Sequence, residues 1–141
     1  MLKIISKIST TFLLLSFIVG QGAMESVTKY HDDGMPKEIK YYSKVGNKIV
    51  LSRTVVYHKN GQMSLETNYN EDGELDGLVV EYYENGQIRK KINYRDGNRN
   101  GRFLEYFENG QISIRGSFKN DKGHGQITEY YSNGQIKVKM F

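Results

Sequence analysis

An Asn-Gly pair returns at a nearly fixed interval through most of this chain. It occurs at Asn60-Gly61, Asn85-Gly86, Asn109-Gly110 and Asn133-Gly134, with glycine spacings of 25, 24 and 24. Asp33-Gly34 is an earlier, degenerate copy, 27 residues before Gly61. A second glycine recurs at Gly77, Gly101 and Gly125. Four residues before each turn glycine stands a tyrosine: Tyr30, Tyr57, Tyr82, Tyr106 and Tyr130. The next position always holds a ring, in turn His31, His58, Tyr83, Phe107 and Tyr131. Eight residues after the glycine stands Tyr42, Tyr69, Tyr94 or Phe118. A period this short leaves no room for two packed helices per repeat.

Runs rich in Tyr, Ile, Val and Phe flank each Asn-Gly, which is the strongest short-range signal for a β-hairpin. The expected unit is a strand, a two-residue type I′ turn at Asn-Gly, a second strand and a longer glycine loop. Ile88, Ile92 and Tyr94 alternate with Arg89, Lys91 and Asn93, the period of a half-buried strand. A two-residue turn at Asn85-Gly86 pairs Glu84 with Gln87, Tyr83 with Ile88, and Val79 with Ile92. One face then carries Val79, Tyr83, Ile88, Ile92 and Tyr94, and in the next copy Phe103, Phe107, Ile112, Ile114 and Phe118, with Gly116 opposite Phe103. That face is expected to be the core. The other is mixed, with Leu78, Val80 and Tyr82 facing Arg89, Lys91 and Asn93. The first copy runs one step out of phase after Met35-Pro36, and its proline suits an edge strand. The last copy stops at Phe141 after one strand, leaving an edge that can pair with another chain.

The first 23 residues differ from the rest. Lys3 and Lys7 precede an apolar stretch, Phe12 to Val19, and small residues follow at Gly20, Gly22 and Ala23. That order is a secretory signal peptide with cleavage near residue 22 or 23, so the expected location is exported: periplasm, cell surface or medium. Without Lys3 and Lys7 the net charge falls from +4 to +2, which gives little attraction for nucleic acid. No 18-residue apolar run is present, so no membrane span is expected after processing. The absence of cysteine excludes a disulfide scaffold, a thiolate metal site, a cysteine nucleophile and an acylated lipoprotein anchor.

Tyr-x-x-Asn-Gly-x-Ile, followed by an aromatic residue and a later glycine, resembles the variant form of the MORN repeat. The resemblance covers about residues 28–141 and is strongest to the bacterial family of YwqK-type antitoxins. It implies an all-β fold: an elongated, single-layer antiparallel meander of stacked β-hairpins, with copies near 27–50, 51–77, 78–101, 102–125 and 126–141. It also implies a partner, because that family is regarded as neutralising a toxin.

Chemistry is sparse. His31 and His58 fall in a column of rings and find no matched catalytic or metal-binding partner, and His124 lies in a glycine loop. Glu81, Glu105 and Glu129 recur five residues before the turn glycine. A column written three times is a structural signature rather than a glycosidase pair, and Lys90 stands opposite Glu81 for a cross-strand pair. No nucleophile elbow, phosphate loop or calcium loop occurs. The expectation is a non-enzyme without cofactor or metal that binds a protein partner. The candidate binding face is the column Tyr57, Tyr82, Tyr106 and Tyr130, flanked by Arg89, Lys91 and Arg115. A structural or adhesive envelope protein, or a scaffold for lipid or glycan, is the alternative.

Overall fold

The computed structural model describes residues 16–17 and 23–141, so most of the expected signal segment, 1–23, lies outside the described residues. The described residues form one open antiparallel sheet of twelve strands. They are β1 (Ser16–Phe17), β2 (Ala23–Tyr30), β3 (Pro36–Val45), β4 (Lys48–Tyr57), β5 (Met63–Asn68), β6 (Gly77–Tyr82), β7 (Ile88–Arg95), β8 (Asn98–Tyr106), β9 (Ile112–Lys119), β10 (Lys122–Gly123), β11 (Ile127–Tyr130) and β12 (Ile136–Met140). Neighbours in sequence are neighbours in the sheet, except that β10 folds back on β9 and β11 continues the path. This is the expected meander of hairpins.

The Asn-Gly turns are not type I′. A type I′ turn needs positive φ at both central residues, and only the glycines have it: 81° at Gly61 and Gly86, 80° at Gly110 and 83° at Gly134. Instead Tyr83 N–H donates to Gln87 O at 2.8 Å, and Gly86 N–H donates to Tyr83 O at 2.9 Å. This closes a three-residue loop, Glu84-Asn85-Gly86, of the kind that ends in a left-handed glycine. The Asn85 side chain supports it, its Oδ1 accepting from Gln87 N–H at 2.9 Å. The same bond recurs at Asn60, Asn109 and Asn133.

A loop longer by one residue slips the register by one and would turn every later side chain to the opposite face. The strands undo the slip. Tyr82 pairs with Ile88 rather than Arg89, and a β-bulge between Glu81 and Tyr82 restores Glu81 with Lys90 and Val79 with Ile92. Equivalent bulges follow Val56, Glu105 and Glu129. Pairing far from the turn is therefore as expected, whereas the expected partners beside it, Glu84 with Gln87 and Tyr83 with Ile88, are displaced by one. A second bulge in β2, at Thr28, accounts for the shifted phase of the first copy.

At the opposite ends of the strands the longer glycine loop is present between β5 and β6, residues 69–76, but other joints differ from expectation. In place of a longer glycine loop, β7 and β8 meet at a two-residue turn in which Asp96 and Gly97 both have positive φ, 47° and 75°. Asn120-Asp121 does the same between β9 and β10. The type I′ geometry is thus present, at the other edge of the ribbon. Pro36 lies not on an edge strand but at the first residue of β3, between β2 and β4, where a missing N–H is also tolerated.

Neither face is a core. Ile39, Val55 and Val80 are buried on one face, and Phe103 on the other, together with Ser26, Thr54 and Thr67. The expected core face is covered only in part, because no second layer packs on it among the described residues. Stability in such an array comes from each repeat on its neighbour. Gly116 does lie opposite Phe103, whose ring stacks against Phe118 at 4.8 Å between centroids. A Cβ at Gly116 would sit 2.5 Å from Phe103 Cε1 and 3.0 Å from Ile127 Cγ1. Gly116→Ala is expected to cost about 1–3 kcal/mol by overpacking, seen as a lower urea midpoint with an unchanged slope; an unmoved midpoint would mean that the Phe103 ring swings aside freely.

Candidate functional site

Repeats are stitched to their neighbours through groups that recur at equivalent positions in most copies. The ring one residue after the column tyrosine reaches across the joint to the following column tyrosine's carbonyl. His31 Nε2 donates to Tyr57 O at 3.0 Å, His58 Nε2 to Tyr82 O at 3.1 Å, and Tyr83 Oη to Tyr106 O at 2.6 Å. The two histidines are therefore rings in a structural column. Phe107, at the next joint, has no polar atom to offer. The turn asparagines add a second stitch: Asn60 Nδ2 donates to Glu84 O at 2.6 Å, and Asn109 Nδ2 to Ser132 O at 3.1 Å. The glutamines add a third, Gln62, Gln87 and Gln111 lying over Gly86, Gly110 and Gly134.

The glutamate column is consumed by ion pairs. Glu81 is bonded by Arg89, Glu105 by Lys90 at 2.8 Å, and Glu129 by Lys137 at 2.7 Å. Lys90 stands opposite Glu81 along the backbone, as expected, but its ammonium reaches Glu105 of the next repeat. The Glu81 bond raises the Arg89 guanidinium above the usual arginine range, and the Glu129 bond raises Lys137. Shallow depressions of ≈ 250 and ≈ 420 Å³ flank this column and share Tyr83 and Arg89 in their walls. Among the described residues, no group of three His, Asp or Glu comes together that could hold a metal ion.

The tyrosine column lies on the other face. Cross-strand pairing places Tyr57, Tyr82, Tyr106 and Tyr130 beside the row Val55, Glu66, Val80, Lys91, Leu104, Arg115 and Thr128. All four tyrosines are half-buried. Burial pushes the Tyr57 and Tyr82 hydroxyls up from the usual tyrosine value, with Tyr41 and Glu25 adding to it at Tyr57 and Glu66 at Tyr82. They are neutral hydrogen-bonding groups at any physiological pH. The Arg115 guanidinium lies 5.4 Å from the Tyr130 ring centre. Lys91 shares this face, but Arg89 leaves it: the bulge beside Tyr82 frees its side chain to bond Glu81 on the opposite face. The sequence reading missed Tyr41 and Arg53, which extend the face toward the first copy. Arg53 stacks 4.1 Å from the Tyr41 ring centre and pairs with Glu66 at 3.2 Å. The alternation Arg53, Val55, Tyr57 was a usable signal, hidden by the phase shift of the first copy.

These features define an open, single-layer β-repeat protein whose repeats are joined by side-chain-to-carbonyl stitches. Three segments, residues 75–96, 99–120 and 123–141, match the family model of the MORN repeat variant and overlap the last three copies. No curated protein sequence matches the chain. Among solved structures, the crystal structure of a GtfA/B complex bound to UDP and GlcNAc is similar over 84% of this chain and 22% of that chain, with 14% identity and a TM-score of 0.36. A likeness at that level carries no argument about function. Among the described residues, no helix is long and apolar enough to cross a membrane.

The stitches give two tests. Tyr83→Phe is expected to cost about 1 kcal/mol, and Phe107→Tyr, which supplies the missing donor toward Tyr130 O, to add about 0.5–1.5 kcal/mol; urea unfolding of both variants measures this, and equal midpoints would remove the ring stitch as a stabilising element. The first copy titrates. The Thr28 hydroxyl, donating at 2.6 Å, holds the Glu38 carboxyl below its ordinary 4.5; burial opposes this, and the Lys29 ammonium, bonded at 3.0 Å, assists. A depressed carboxyl adds stability that is present above its unfolded pKa and is lost as the pH falls through the lower folded value. Thr28→Val should therefore flatten the drop in melting temperature below about pH 4.5, in a melting series followed by circular dichroism.

Proposed function

We propose that this protein is an exported, non-catalytic β-repeat module that docks a protein partner along its tyrosine face. The observation that carries this reading is the uninterrupted column Tyr57, Tyr82, Tyr106 and Tyr130, one ring per repeat, with Lys91 and Arg115 beside it. Successive rings are two strands apart, or ~9–10 Å at the usual strand spacing. Tyrosine and arginine are the side chains that contribute most where proteins meet, offering large contact area at a small entropy cost. Burial pushes the Tyr57 and Tyr82 hydroxyls up from the usual tyrosine value, while the carboxylates of the opposite face are held in ion pairs. The amino-terminal segment supports export, and with it a partner met outside the cytoplasm. Neutralisation of a toxin, as in the antitoxin family that the repeats resemble, is the specific form of this reading; finding a toxin gene beside this one in the genome would support it.

The test is capture from envelope and culture-medium fractions on the immobilised protein, beside the double variant Tyr82→Ala/Tyr106→Ala. The stitches to Tyr82 and Tyr106 end on backbone carbonyls, so both survive truncation to alanine and the variant should fold. Loss of about 2 kcal/mol or more per ring is expected of central interface tyrosines. One partner held by the parent and released by the folded variant is the expected result. Capture that is unchanged in the variant removes the tyrosine face as the docking site.

A further inference from the structure

The stitches that join the repeats are directional, and the two ends of the array carry their unmatched halves. Across the internal joints the donors lie in the earlier copy: the ring after the column tyrosine at three joints and the turn asparagine at two. The acceptors lie in the later copy: the column tyrosine's carbonyl and the turn carbonyl. The glutamine of the earlier copy packs over the turn glycine of the later one. The last copy presents the donors Tyr131 and Asn133, with Tyr131 51% exposed. The first copy presents the acceptors Tyr30 O and Asp32 O, with Tyr30 47% exposed and nothing near Gly34 among the described residues.

Backbone register agrees. At each internal joint the residue four after one turn glycine pairs with the residue five before the next: Glu38 with Val56, Leu65 with Glu81, Lys90 with Glu105, and Ile114 with Glu129. Continued once more, this rule pairs Val138 with Lys29 and Lys139 with Thr28. Two of the internal joints, β5 with β6 and β9 with β11, consist of only two such pairs. A joint that short fits on β2 without disturbing β1, which occupies Met24 and Glu25. Along β12, Ile136, Val138 and Met140 are 50%, 37% and 49% exposed, and among the described residues only β11 pairs with it. Lys137, a charge of the kind that guards an open edge, is already held by Glu129.

We propose that β12 of one copy docks against β2 of a second copy, head to tail, repeating the joint that links the repeats within the chain. The occupant is a second copy because the donor and acceptor sets complement each other, and because the internal joints already demonstrate that contact four times. Such a pairing is heterologous and does not close on itself, so it yields an open series of dimers, trimers and longer ribbons. It uses the ends of the sheet and leaves the tyrosine face clear, so it stands or falls independently of partner binding there.

The native chain has no cysteine, so single thiols report position cleanly. Asp32 and Ser132 hold equivalent places in the first and last copies, and in adjacent repeats such places lie ~10 Å apart. With a bifunctional maleimide of matching length, the full chain carrying both Asp32→Cys and Ser132→Cys should give a ladder of covalent oligomers. An equimolar mixture of the two single variants should give only the mixed dimer. Dimers from Ser132→Cys alone would show β12 pairing with β12 and overturn the proposal, as would a single monomeric species at the highest soluble concentration in sedimentation velocity. Asn133→Asp keeps the Oδ1 that accepts from Gln135 N–H at 3.0 Å but loses the Nδ2 donor. Combined with Tyr131→Phe it should weaken association roughly tenfold or more; association unchanged by this pair would place the contact elsewhere and also overturn the proposal.

Discussion

A hydrogen bond from the side chain of one repeat to a backbone carbonyl of the next is the interaction on which the rest of this fold rests. A single-layer sheet has no opposing layer to bury its apolar residues against. Only Ile39, Val55, Val80 and Phe103 are buried apolar side chains among the described residues. Burial of a few such groups contributes about 1.5–3 kcal/mol each, little against the conformational entropy of more than a hundred residues. Cross-strand bonds and lateral stitches must supply the rest. His31, His58 and Tyr83 show how firmly the position is constrained: two chemically different rings deliver a donor to the same carbonyl.

The asparagine of the Asn-Gly pair serves the same lateral connection at two of the four turns. Its Oδ1 closes its own loop, and at Asn60 and Asn109 its Nδ2 reaches the following loop. Aspartate can do the first and not the second. Asp33 in the first copy does the first, accepting from Met35 N–H at 3.0 Å. At Asn60 and Asn109 the dipeptide thus makes two hydrogen bonds at once, and at all four turns the left-handed conformation falls on the glycine alone. The usual association of Asn-Gly with type I′ turns therefore misleads here. Asp96-Gly97 has the type I′ geometry instead, with positive φ at both residues.

Strand existence, meander order and the far register of each hairpin were legible in the residues, because period-two alternation and repeat spacing report backbone pairing directly. Val79 with Ile92 and Gly116 with Phe103 are pairs of that kind. Loop length was not legible, since a three-residue loop followed by a bulge leaves the distant alternation identical to that of a two-residue turn. The difference stayed local: the bulge sends Arg89 to Glu81 on the other face and brings Ile88 and Ile112 opposite Tyr82 and Tyr106, on the tyrosine face rather than the expected core face. The distribution of burial was not legible either. Alternation tells two faces apart, but which is covered depends on a second layer that a pattern of single strands does not encode.

The candidate site follows from subtraction. A repeat that writes its structural groups in columns also writes its surface in columns, and the two can be separated only once the bonding partners are known. The ring column is committed to carbonyls and the glutamate column to ion pairs. The tyrosine column contributes its backbone carbonyls to the stitches while its side chains remain on an open face. Those two roles sit on different atoms of one residue, so the ladder can vary its rings without loosening the joints. A face built in this way can change its side chains by substitution while every stitch beneath it stays in place.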